Sequence, residues 1–67
     1  MYKFKTEKKE EITSKYKLLF IAEGIGITLS YLSNVLNGKI NCKKTIAYCI
    51  TKIVDSEKEI DYFFEKI

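Results

Sequence analysis

An all-α fold of four to five short helices is what this chain of 67 residues predicts, on three observations. Proline is absent and glycine occurs only at Gly24, Gly26 and Gly38, which is too few turn residues for a β-rich chain. Apolar residues recur at spacings of three and four along most of the sequence, the period of a helix face. Hydrophobic residues make up 46% of the chain, more than a disordered polymer carries. The length fits one domain, residues 1–67, with a modest core.

At the start, Tyr2 and Phe4 alternate with lysines and read as extended. Thr6 is a candidate cap, and Glu7, Glu10 and Glu11 suit the positive end of a helix dipole. With Ile12 and Tyr16 at i, i+4 spacing, a first helix is expected over about Glu7–Ser14. The second is expected over about Tyr16–Glu23, apolar on most sides through Leu18, Leu19, Ile21 and Ala22. Gly24 marks either its termination or the close approach of a neighbouring helix, because glycine in a helix costs up to about 1 kcal/mol relative to alanine.

Thr28 is the expected N-cap of a third helix over Leu29–Leu36. Leu32, Val35 and Leu36 face inward there, and Leu29, Ser30, Ser33, Asn34 and Asn37 fall on the other side. Asn37-Gly38 is a helix stop, glycine being favoured in the left-handed conformation just past a helix end. After the loop Lys39–Asn41, with Asn41 as cap, a fourth helix is expected over Cys42–Val54, its inward stripe Ile46, Cys49, Ile50 and Ile53. Ser56 and Glu59 have the spacing of a capping box. A fifth helix is therefore expected over Glu57–Lys66, with Ile60, Phe63, Phe64 and Ile67 on its apolar face.

The stretch from Leu18 to Gly38, LLFIAEGIGITLSYLSNVLNG, organises this pattern. Ala22 is small enough for close helix approach, Gly26 can take the positive φ of a sharp turn, and Ile27, Leu32 and Val35 fill the wedge between two helices. That is the spacing of a helix-turn-helix, whose second helix enters the DNA major groove.

Charge and composition narrow the function further. All twelve basic residues are lysine, and the formal net charge is +3. Residues 1–54 hold ten lysines and four acids, whereas residues 55–67 hold two lysines and five acids. This asymmetry suits a polyanion on one side of the molecule. With no histidine, no glycine-rich phosphate loop and no carboxylate pair in an apolar setting, no catalytic residues, metal site, cofactor or small-molecule ligand is expected. Cys42 and Cys49, seven residues apart on the expected fourth helix, are too distant for a disulfide at about 10 Å, and read as small apolar fillers in a reducing cytoplasm. No signal peptide and no apolar run of membrane-spanning length is visible.

At Ala22, Gly26, Ile27, Leu32, Val35 and the Asn37-Gly38 stop, the chain resembles the Cro and lambda-repressor type of phage helix-turn-helix proteins, the XRE class. The resemblance covers about residues 6–55, and SYLSNVLNGK looks especially like the recognition helix and following loop of small phage regulators. It implies a compact lambda-repressor-like domain that binds operator DNA as a homodimer in the cytoplasm and represses transcription by excluding polymerase. It further implies base contacts from Thr28, Leu29, Ser30, Ser33 and Asn34, and a phosphate contact from Asn37. Asn34 can pair with adenine, and Leu29 can touch a thymine methyl. Lys17, Lys39, Lys43 and Lys44 would neutralise backbone phosphates. Leu18 departs from the family, many members of which carry glutamine there. The lack of arginine removes the strongest guanine reader and favours AT-rich sites.

Blander readings stand beside these. Ser30, Ser33 and Asn34 would also suit a solvated helix face, and Tyr31 either joins the core or offers its hydroxyl to a phosphate. Lys43 and Lys44 in a first turn oppose the helix dipole, as a solvated turn or as holders of a phosphate. Tyr62, Phe63 and Phe64 cannot all face inward on one helix, so they either close the core incompletely or mark a dimer contact. A different function on the same fold is a protein-binding module, such as an antirepressor or an inhibitor of a host defence protein. A surface dominated by Leu29, Tyr31 and apolar neighbours would favour it.

Overall fold

The computed structural model describes residues 1–67 and is mostly helical, with a small sheet that joins the two ends of the chain. Strand β1 (Tyr2–Phe4) leads through a 3₁₀ turn at Thr6–Lys8 into α1 (Lys9–Thr13), then α2 (Leu18–Ile25), α3 (Leu29–Leu36), α4 (Lys44–Val54), α5 (Ile60–Phe63) and β2 (Phe64–Lys66). The strands pair antiparallel with Lys3 opposite Glu65. Tyr2 also exchanges both backbone hydrogen bonds with Cys42, at 2.7 and 2.9 Å, so β1 is held on both edges.

The expected all-α class is corrected by this sheet, and the C-terminal third departs furthest from expectation. The fifth helix is a single turn, Ile60–Phe63, and the chain is extended from Phe64. The expected capping box does not form: Asp55 Oδ1 accepts from the Glu57 N–H at 3.1 Å, and Ser56 caps nothing. Phe63 ends the helical turn and Phe64 begins the strand, and both rings are buried. Phe4 meets Phe64 edge to face and Phe63 face to face, at 5.2 and 6.5 Å between centroids.

The core draws on both strands and all five α-helices, among them Phe4, Ile12, Ile21, Leu32, Leu36, Ile50, Phe63 and Phe64. The first helical segment is a 3₁₀ turn followed by α1, and Thr6 makes no cap bond. Helix α2 begins at Leu18, two residues later than expected, and runs through Gly24. Gly24 is a place of close approach: a Cβ there would stand 3.1 Å from Ile53 Cδ1 on α4. Helix α4 starts at Lys44, so Cys42 lies in the preceding loop, the two cysteines do not share a helix, and Asn41 is not the cap. Ala47, Ile50, Thr51 and Val54 are its buried residues, while Ile46, Cys49 and Ile53 are half-buried. Thr51 is the polar member of the core, its hydroxyl donating to the Ala47 carbonyl at 2.8 Å. No single helix is long and apolar enough to cross a membrane.

Candidate functional site

The corner between α2 and α3 is the most sharply defined local feature of the chain. The two helices bend by 113° across Gly26, Ile27 and Thr28. Gly26 takes φ +87°, and the Ile27 N–H reaches back across it to the Ala22 carbonyl at 3.0 Å, closing the end of α2. Thr28 is extended and its Oγ1 accepts from the Tyr31 N–H at 3.0 Å, starting α3 at the expected residue. Ala22, Leu32 and Val35 are buried in the angle, and Ile27 is half-buried beside them. At the far end of α3, Gly38 takes φ +76°, with Gly38 N–H on Val35 O and Lys39 N–H on Asn34 O. This pair of bonds is a Schellman stop, in the place the Asn37-Gly38 sequence indicates.

On the outer side of α3, Leu29, Ser30, Ser33, Asn34 and Asn37 span an arc of about 140° at 3.6 residues per turn. Thr28, Leu29, Ser30 and Asn37 are exposed, and Ser33 and Asn34 are half-buried. Tyr31 is half-buried; burial first, and then the neighbouring Cys42, push its phenol above the usual range. Burial likewise raises the Cys42 thiol, against a smaller opposing effect of the N-terminal ammonium.

The expected lysines sit at the ends of different elements. Lys17 is the exposed N-cap residue of α2, Lys39 follows the α3 stop, and Lys43 is the extended N-cap residue of α4. Lys44 lines a groove of about 690 Å³ between α4, α5 and β2, with Tyr48, Lys52 and Lys66, and α3 contributes no residue to it. The single ion pair of the chain joins Lys52 to Glu59 at 3.2 Å, so the other lysines keep uncompensated charge.

Two features were not foreseen. Lys9 Nζ donates to Asn37 Oδ1, tying α1 to the end of α3. Its one signal is local: Lys9 is the first residue of α1, where a helix dipole disfavours a cation. Leu19 and Phe20 on α2 are 53% and 59% exposed, Leu29 on α3 is 45% exposed, and Phe20 stacks on Tyr16 at 5.9 Å. Of the three aromatic residues proposed for a dimer contact, Phe63 and Phe64 are fully buried. Tyr62 is half-buried, its hydroxyl 3.1 Å from Glu11 Oε1 and its ring beneath Lys8 and Lys58. Phe63 and Phe64 therefore present no surface to a second copy.

Comparison with protein-family models, with curated proteins and with solved structures found no match.

Proposed function

We propose that the chain is a sequence-specific DNA-binding transcriptional regulator of the small phage or prophage repressor type. In this reading α2 and α3 are a helix-turn-helix, and α3 enters the major groove of an AT-rich operator, blocking polymerase as a homodimer. The observation that carries it is the corner itself: two helices at 113° across a three-residue turn with a left-handed glycine, within the range of helix-turn-helix geometry. The polar outer side of α3 and the unpaired lysines fit the phosphate-rich surface of a duplex. Thr28, Leu29 and Ser30 lead the reading surface because they are exposed on the first turn of α3, the part of a recognition helix that meets base edges.

The test is binding to random-sequence and AT-rich duplexes at two salt concentrations. The expected result is binding that weakens steeply with salt, with loss of sequence preference for Asn34→Ala and a uniform loss for Lys43→Ala. A folded protein that binds no duplex at low salt would overturn the reading.

The exposed Leu19, Phe20 and Leu29 favour a second reading, a module that grips another protein through exposed apolar side chains. Under it, Phe20→Ala leaves the fold intact and abolishes association with the partner. Under the DNA reading the same variant leaves duplex affinity unchanged.

A further inference from the structure

We propose that Lys9 and Asn37 form one clamp for a DNA backbone phosphate at the C-terminal end of α3, with Lys9 supplying the charge and fixing the direction of the Asn37 amide. The clamp rests on the DNA-binding reading and adds to it a residue outside the helix-turn-helix.

A lysine ammonium has only donors, so the Asn37 oxygen must face Lys9 and the amide NH₂ must face away. The NH₂ group has one long contact within the protein, to Ser33 Oγ at 3.4 Å, and its second hydrogen is free. Lys9 spends one N–H on Asn37 and has no carboxylate partner. Two groups of N–H donors, one of them charged, thus stand side by side at the edge of the reading surface, matching the two free oxygens of a phosphodiester.

The placement of Lys9 is enforced from a second direction. The 3₁₀ turn that precedes it lies so close to the α3 stop that a Cβ on Gly38 would meet Thr6 Cγ2 at 3.0 Å. The segment carrying Lys9 is therefore seated on the end of α3, next to the Asn37 amide that its ammonium bonds. A purely structural role also exists, since a cation near a helix C-terminus complements the dipole. The experiment separates the two.

Duplex affinity is measured against salt for the full chain, for Lys9→Met, Asn37→Ala and their double variant, and for Asn37→Asp, with thermal melting of each as the control for folding. Asn37→Asp keeps an acceptor for Lys9 but replaces the donor with a negative charge. The clamp requires Lys9→Met to lower affinity about tenfold near 0.1 M salt and to reduce the salt slope by about one. It requires the double variant to lose less than the sum of the singles, and Asn37→Asp to bind DNA worse than Asn37→Ala while melting no lower. If the full chain binds DNA and Lys9→Met leaves the slope unchanged, or Asn37→Asp binds as wild type does, the clamp is wrong and the regulator reading stands. If the folded full chain binds no duplex at low salt, the regulator reading falls, and the clamp with it.

Discussion

Phe4 and Phe64 stand opposite each other in the sheet and meet edge to face at 5.2 Å, so one aromatic pair fastens the start of the chain to its far end. Both side chains are buried. Phe4→Ala or Phe64→Ala is expected to cost about 3–5 kcal/mol, comparable with the whole stability of a domain this small. Either variant should be largely unfolded by circular dichroism at room temperature, whereas Phe64→Leu should melt cooperatively at a lower temperature.

Gly26 and Gly38 share a left-handed backbone but not the same surroundings. A Cβ at Gly26 meets nothing within 4 Å, while one at Gly38 meets Thr6 Cγ2 at 3.0 Å. Gly26→Ala should cost only the backbone strain, about 1–2 kcal/mol, and Gly26→Asn less. Gly38→Ala should cost more than Gly26→Ala, and adding Thr6→Ser should recover the difference by removing the methyl. Urea midpoints of the four variants check the order.

The bond from the Tyr31 N–H to Thr28 Oγ1 predicts a clean contrast at one position. Thr28→Val keeps the shape and loses the cap, for a cost of about 1 kcal/mol, whereas Thr28→Ser should stay within a few tenths of wild type. Thermal unfolding of both variants at equal concentration measures it.

The buried Cys42 thiol makes stability depend on pH on the alkaline side. Its folded value is raised by burial, so the unfolded chain loses this proton first as pH rises. The stabilising contribution is therefore complete below about pH 8.5, the ordinary thiol value, and is lost as pH climbs through the folded value. Cys42→Ala should flatten that decline in urea titrations between pH 8 and 10. Below pH 8 a thiol reagent should modify the half-buried Cys49 before Cys42.

Much of the α2–α3 corner was legible in the sequence because its determinants are local. Gly26, the Thr28 cap and the Asn37-Gly38 stop each act within a few residues, and α3 begins and ends where they place it. The C-terminal third was not legible for the opposite reason. Ile60, Phe63, Phe64 and Ile67 fit a helix period, and only the distant partner β1 draws Phe64 into a strand. Cys42 fits the apolar pattern of the following helix, and nothing near it in the sequence signals its pairing with Tyr2. Lys9 escaped notice because its partner, Asn37, lies two helices away.

The β1–β2 ladder also sets an order of events during synthesis. Residues 2–4 are made well before their partners at residues 64–66. The α2–α3 corner, whose contacts are near in sequence, can form while the polypeptide is still growing. Until β2 arrives, Phe4 has neither of its aromatic neighbours. Until residues 64–66 are made, the edge of β1 that β2 later covers stays unpaired, and Lys3 within it and Lys5 just after it carry charge that disfavours pairing with other nascent chains.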